Sequence, residues 1–396
     1  MNYNEKSFAL GSKRSIIREI FEYSKVRASE IGADKVYDFS LGNPSVEPPE
    51  SVTNAISELI AEFNPTALHG YTSAQGDVQT RKAVADNINK RFNLDLSADN
   101  IYMTCGAAAS LSICLSAVMN DGDECVVFAP FFTEYRVFVE NSGAKLVIST
   151  PEYKTLQIDV NDLESKLTSN TKALIMNSPN NPSGVVYTEE KIKQVCELLE
   201  RKQKEYGHPI YLIADEPYRE LVYGDIKVPY LMNYYDNTLV CYSYSKSLSL
   251  PGERIGYIAV NPKMLDAKKV YLAVCGAGRS LGYVCAPSLF QKVVARCIDA
   301  KVNIDAYKTN RDLLYDNLTA YGFDCVKPDG AFYLFVKSPL KDATAFYEKA
   351  KEHEILVVPC DDFGVEGYVR IAYCVDKKRI KNSLDGFKQL AKECGL

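Results

Sequence analysis

The sequence predicts an α/β protein of two domains. In the larger, helices cover both faces of a mostly parallel sheet; the smaller is α+β. Three observations predict this. From about residue 100, short apolar runs alternate with amphipathic stretches. Four of those runs end in distinctive polar residues, and the ends of strands are where ligands sit in open α/β sheets. A chain of 396 residues is also too long for one small core and fits two domains.

The strand-like runs are 101–104, "ECVVFA" (124–129), "KLVIS" (145–149), "KALIMN" (172–177), "IYLIAD" (210–215), "TLVCYS" (238–243) and "RIGYIAV" (254–260). Helical patterns such as "EEKIKQVCELLERKQKEY" (189–206) lie between several of them, the alternation of a parallel sheet buried on both faces. After Pro287 a long helical stretch leads to "AFYLFVK" (331–337), "ILVVP" (355–359) and "YVRIAY" (368–373). The expected organisation is an N-terminal segment, 1–50, that joins the small domain, a large domain over 51–285 and a small α+β domain over 286–396.

Composition narrows the function. The chain is 46% hydrophobic and 24% charged, ordinary for a globular protein, and its formal charge of -5 argues against a nucleic-acid binder. Twelve cysteines without CxxC pairs suggest reduced thiols and a cytoplasmic setting. Three histidines, His69, His208 and His353, lie far apart without metal-ligand spacing, so neither a metal site nor a Ser-His-Asp hydrolase is expected. The first residues lack the apolar core of a secretory signal. The uncharged stretch 100–120 contains Asn, Thr, Gly and several Ser, and reads as strand, turn and buried helix rather than as a membrane span. The expected partners are small molecules and further copies of the chain.

Four strand ends carry the chemistry: "CGAAAS" after 101–104, "SPNNPSG" after 172–177, "DEPY" after 210–214 and "SYSK" after 238–242. A turn at Gly106 into a small-residue helix leaves the N–H groups of Gly106, Ala107 and Ala108 facing outward, which suits a phosphate; a plain strand–helix turn reads the same way in isolation. Ser243, Ser245 and Arg254 are further phosphate partners. Lys246 beside such an anchor is an amine placed for a phosphorylated aldehyde, since lysine forms Schiff bases with carbonyls. Asp215 ends a buried strand, where an unpaired carboxylate is costly and a cationic ring nitrogen relieves the cost. Pyridoxal phosphate supplies such a ring. Asn181 and Tyr218 stand where they can hydrogen-bond its phenolic oxygen; an Asn-Pro turn and a half-buried tyrosine are their plainer readings.

Taken together, "NSPNNPSG", "DEPY" and "SYSKSLSLPGERIGY" resemble, in order and spacing, the fold type I pyridoxal-phosphate-dependent aminotransferases of class I/II, the aspartate aminotransferase superfamily. The resemblance runs from "LGNP" near 41 to "VRIAY" near 370. It implies a seven-stranded sheet and pyridoxal 5′-phosphate as cofactor. Lys246 would hold the cofactor as a Schiff base and shuttle the proton, Asp215 would pair with the pyridinium, and Tyr218 and Asn181 would bind the ring oxygen. Gly106, Ala107, Ala108, Ser243, Ser245 and Arg254 would hold the phosphate, and Phe132 would stack on the ring. Arg370, with the backbone at Gly42, resembles the clamp for the substrate α-carboxylate, and Asn181 lies beside that substrate. Tyr71 resembles the tyrosine that reaches the neighbouring subunit's phosphate, which implies a homodimer with composite sites. Arg279 lies in the region that supplies a second arginine in dicarboxylate-specific relatives.

The implied reaction moves an amino group from an L-amino acid, aspartate or aromatic in type, to a 2-oxo acid such as 2-oxoglutarate. A carbon–sulfur β-lyase is the alternative on the same cofactor, because these motifs specify the electron sink and not the fate of the carbanion. A non-catalytic pyridoxal-phosphate-binding regulator is a third class, but no basic DNA-binding module is present. "GAGRSLG" (276–282) lacks the strand–helix setting and later acidic residue of a dinucleotide loop.

Overall fold

The computed structural model describes residues 3–12 and 15–396. Its contacts divide the chain into two compact units. The larger comprises Val46–Ile304 with Asp329–Ala331; the smaller comprises the described residues up to Ser45, Asp305–Pro328 and Phe332–Leu396.

The larger unit is built on seven strands, β1 (Ile101–Thr104), β2 (Glu124–Phe128), β3 (Lys145–Ser149), β4 (Thr171–Asn177), β5 (Tyr211–Asp215), β6 (Thr238–Ser243) and β7 (Gly256–Val260). They are ordered β1-β7-β6-β5-β4-β2-β3 across the sheet. All neighbours pair parallel except β7, which runs antiparallel to both β1 and β6. The central strands are apolar runs buried along almost their whole length, as a sheet covered on both faces requires. Their covering helices start and stop on local signals. In Glu189–Tyr206 the Thr188 side chain caps the backbone N–H of Lys191, two glutamates occupy the first turn, and Gly207 closes the helix at φ +74°.

Register fixes where the strand ends meet. Asn177 lies opposite Asp215, Asp215 opposite Cys241, and Gly256 opposite both Thr104 and Ser243. The carboxyl ends of β1, β4, β5 and β6 and the start of β7 therefore share one edge of the sheet.

The smaller unit holds an antiparallel sheet of β8 (Tyr333–Lys337), β9 (Val358–Pro359) and β10 (Tyr368–Ala372), with β10 in the middle. The N-terminal segment belongs to this unit by direct pairing: Tyr37 and Asp38 run parallel to Ile355 and Leu356, and the Ala372 N–H donates to Phe39 O at 2.9 Å.

The contact division differs from the boundaries expected from sequence, at the N-terminal side by a few residues and at the second join by more. The join was expected at 285/286, but the helix Ser288–Arg296 packs with the larger unit, which extends to Ile304. The cause is a set of polar ties to residues 68–80: Ser288 Oγ donates to Leu68 O at 2.6 Å, Gln291 Oε1 accepts from the Asp77 N–H at 2.6 Å, and Thr80 Oγ1 donates to Gln291 O at 3.1 Å. A helical pattern in sequence does not reveal which unit its polar side chains will bind.

Gly256 is where the reversed strand comes closest to its neighbours. A Cβ there would lie 3.0 Å from Gly106 Cα and overlap the Tyr242 carbonyl oxygen, both of them backbone atoms that side-chain motion cannot clear. Gly256→Ala is expected to destabilise the protein by about 1–3 kcal/mol, the range of overpacked interiors. Denaturant unfolding checks this, and an unchanged midpoint would show that the β1-β7-β6 spacing can relax.

Candidate active site

At the end of β1 the chain turns through Gly106, at φ +90°, into the helix Ala107–Val118. The positive φ demands glycine here, and a Cβ on Gly106 would fall 2.7 Å from Arg254 Nη2, so the side chain of any other residue would also displace the guanidinium. Arg254 itself adopts φ +50°, a left-handed conformation uncommon for a residue with a Cβ. Its Nη1 donates to Pro251 O at 2.9 Å and to Ser245 Oγ at 3.4 Å. Ser245 Oγ is 2.8 Å from Ser243 Oγ, and the Ser245 N–H donates to Ser243 Oγ at 3.2 Å. The structure thus brings together Gly106, Ser243, Ser245 and Arg254. With the first-turn N–H groups of Ala107 and Ala108, these form a group of donors suited to an anion. Lys246 follows in the short helix Tyr244–Ser247 and is half-buried.

The second cluster surrounds Asp215, which is 5% exposed at the end of β5. Its Oδ2 accepts a hydrogen bond from the Tyr135 hydroxyl. Among the described residues no donor reaches its Oδ1, which is buried. Burial pushes the Asp215 carboxyl up to about 7; the Tyr135 hydrogen bond pulls it down and the neighbouring Glu216 pushes it further up. Asn177, at the end of β4, donates through Nδ2 to Asp215 O at 2.8 Å and accepts at Oδ1 from the Asn181 N–H at 2.7 Å. Asn181 and Tyr218 are both buried, at 6% exposure. Phe132 is half-buried, and its ring stands edge-on to that of Tyr135, with centroids 5.8 Å apart.

Two expected residues of this unit lie elsewhere. Tyr71 is 98% exposed in the single chain, so it makes almost no contact there. Arg279 is exposed in the last turn of the helix Ala267–Ser280.

Gly42 and Arg370 belong to the smaller unit, where they share one neighbour. Arg370 is 2% exposed in β10, its Nη2 donates to Ser40 O at 2.7 Å, and its guanidinium lies 4.6 Å from the Tyr333 ring centre. A Cβ on Gly42 would overlap the Tyr333 hydroxyl. Glycine at 42 therefore leaves room for the ring that supports Arg370.

Sequence reasoning missed three of these side chains. Tyr135 lies in "PFFTEY", three residues after Phe132, a spacing that puts both on one side of a helical turn. Asn177 opens "NSPNNPSG", and Tyr333 lies in "AFYLFVK". Tyr135 had a usable signal in its spacing; nothing in sequence gave Asn177 or Tyr333 a particular partner. Among the described residues no group of three His, Cys, Asp or Glu side chains could hold a metal ion, and no helix is long and apolar enough to cross a membrane.

Residues 34–387 match the family described as aminotransferase class I and II. A crystal structure of an amino transferase from Eubacterium rectale superposes with a TM-score of 0.98 at 56% identity, covering 100% of both chains. A probable aspartate aminotransferase of Methanocaldococcus jannaschii is 28% identical, over 96% of this chain and 97% of its own length. A probable N-acetyl-LL-diaminopimelate aminotransferase of Bacillus subtilis is 30% identical, over 89% of this chain and 88% of its own.

The buried carboxyl has a consequence for stability. With no ligand bound, a folded-state value near 7 against an ordinary 3.8 means that the native state holds an extra proton between those two values. Stability therefore falls as pH rises from about 4 to about 7, by up to about 4 kcal/mol, and stays lowered above that. Asp215→Asn is expected to remove that slope, so the variant gains on the wild type at pH 8 relative to pH 4. Denaturant unfolding of the ligand-free proteins at the two pH values measures it; parallel pH profiles would refute the buried-charge account.

Proposed function

The chain belongs to the aminotransferase class I and II family, and from that premise we propose that it transfers an amino group from an L-amino acid, aspartate or aromatic in type, to a 2-oxo acid such as 2-oxoglutarate, using pyridoxal 5′-phosphate held at the shared strand-end edge of the larger unit. Relatives named as aspartate and aromatic-amino-acid aminotransferases support this donor class. The observation that carries the cofactor reading is the Asp215 Oδ1, a buried carboxylate oxygen without a donor among the described residues. A protonated ring nitrogen satisfies that oxygen and offsets its charge. The cradle left by Gly106 beside Arg254 fits the phosphate in the same way.

When bound, pyridoxal phosphate supplies an aldehyde that takes up the amine and a cationic ring that accepts the electrons released at the substrate Cα. The chain's own residues do the rest. Lys246 Nζ would bind the cofactor's aldehyde carbon and would carry the proton at the substrate Cα. Arg254, Ser243, Ser245 and the N–H groups of Gly106, Ala107 and Ala108 hold the phosphate. Phe132 would pack against the ring, and Asn181 and Tyr218 would hydrogen-bond its oxygen. Arg370, with the Gly42 backbone, binds the substrate α-carboxylate. A two-point grip on that group fixes the direction of the Cα–H bond. Asn181 borders the substrate as well as the ring, and Arg279 is assigned to its side chain. Tyr71 serves the phosphate of a second copy, so the active form is a homodimer, placed in the cytoplasm.

Single-turnover absorbance tests the proposal. Amino acids are added one at a time to the purified, cofactor-loaded protein, without an acceptor. A stable shift to the amine form of the cofactor, with the matching 2-oxo acid released, identifies transamination and names the donor. Pyruvate and ammonia from a cysteine conjugate, with the starting spectrum restored, would make it a β-lyase. Lys246→Ala is expected to lose the Schiff-base absorbance band and about 10³-fold or more of turnover; full activity would end the assignment. Arg370→Ala removes two charge-assisted hydrogen bonds and is expected to lower kcat/KM by about 10²- to 10⁴-fold. An unchanged kcat/KM would move the carboxylate grip elsewhere.

A further inference from the structure

Asp215 depends on a partner that no motif names. Tyr135 is 1% exposed, in the first turn of the helix Glu134–Asn141, and its hydroxyl donates to Asp215 Oδ2. The Tyr135 N–H closes the turn on Phe132 O at 3.0 Å, so one segment carries both this hydroxyl and the Phe132 ring. An aspartate carboxyl is loosely held about its last torsion, and an ionised one offers about four lone-pair directions. With Oδ2 tied to a rigid phenol in the interior, that torsion is fixed and Oδ1 is the oxygen left to present.

Resting on the pyridoxal-phosphate reading above, we infer that Tyr135 is a positioning residue for the cofactor: it ties down one oxygen of Asp215 and so presents Oδ1 to the ring nitrogen. The other acid at this strand end does not compete for the task. Glu216 is held by both nitrogens of a fork from Arg219, itself buried. Burial, followed by the adjacent Asp215 carboxylate, holds the Tyr135 phenol well above its ordinary range, so it remains a donor across the working pH range. The direction of its influence on Asp215 is also set: the hydrogen bond opposes the burial that would otherwise keep this carboxyl neutral.

The test separates action through the ring nitrogen from ordinary packing. Ligand-free wild type and Tyr135→Phe are titrated with pyridoxal phosphate and with its 1-deaza analogue, in which a C–H replaces the ring nitrogen, and equilibrium binding is read by absorbance. Tyr135→Phe is expected to weaken pyridoxal phosphate by about tenfold to a hundredfold, the size of a hydrogen bond to a charged group. It should change binding of the analogue by no more than about twofold. In an Asp215→Ala background the same substitution should change pyridoxal phosphate affinity by no more than about twofold, because the oxygen it acts through is gone. Equal losses for both compounds, or an undiminished loss without Asp215, would make Tyr135 a packing residue and overturn the inference. Wild type that binds neither compound would instead overturn the cofactor reading on which the inference rests.

Discussion

The site depends on one constraint of strand pairing: β7 runs against its two neighbours. In a wholly parallel sheet every strand would bring its carboxyl end to the ligand edge, and the residue preceding a strand would lie at the opposite edge. Because β7 is reversed, Arg254, two positions before its first residue, arrives at the edge where β1 and β6 end. Gly256, opposite Thr104 and Ser243, permits the close approach, and Gly106 leaves the space that the guanidinium occupies. Glycine at 256, where a Cβ would meet neighbouring backbone, and a left-handed backbone at Arg254 accompany this reversal, while Gly106 owes its identity to its own φ of +90°. Ser243, at the end of β6, and Ser245, in the helical turn that follows it, then complete a group of donors set by the end of the sheet rather than by a mobile loop.

The smaller unit solves a different problem. Arg370 lies in the middle strand of a three-stranded sheet, so its backbone is fixed on both sides by Phe335 and Val358. Its guanidinium rests against the Tyr333 ring and is tied to Ser40 O, leaving little freedom of aim. Long charged side chains lose much entropy when they are immobilised. An arginine whose aim is already restricted has less left to lose when it grips a carboxylate.

Much of this was legible in the sequence, for identifiable reasons. The seven strands announce themselves as short apolar runs, because a sheet buried on both faces leaves no room for polar alternation. The four strand-end motifs are legible because polar residues directly after buried strands need a use. Gly106, Asn181, Asp215, Ser243, Ser245, Lys246 and Arg254 all lie at the edge where strand order predicts a ligand. What could not be read was mostly long-range. Tyr135 meets Asp215 across 80 positions, and Gln291 meets Asp77 across 214. The first contact supplies the aspartate's partner, and the second moves a domain boundary. Neither leaves a local pattern, since a tyrosine on a helix and a glutamine on a helix look alike whether they face solvent or a distant partner. Tyr71 is the reverse case: an aromatic residue almost fully exposed in one chain, assigned its role only by resemblance.

The pair Asp215–Glu216 gives the strongest internal argument about what the site awaits. Both carboxylates are buried, at 5% and 3% exposure, and they are adjacent in sequence. Glu216 is neutralised within its own segment: Arg219 grips both of its oxygens and also donates to the carbonyls of Val228 and Pro229, each at 3.0 Å. The Arg219 guanidinium lies 4.9 Å from the Tyr230 ring centre and 5.2 Å from that of Phe92, so the ion pair is packed as well as bonded. The fold therefore supplies a buried acid with a full complement of partners three residues away. Among the described residues Asp215 has one neutral donor at Oδ2 and none at Oδ1. A buried, half-satisfied carboxylate is destabilising unless something else completes it. A cationic or strongly donating N–H would complete that oxygen, and the donors Ser243, Ser245 and Arg254 at the same sheet edge suit an anion. The proposed cofactor, a protonated pyridine ring bearing a phosphate, carries both chemistries.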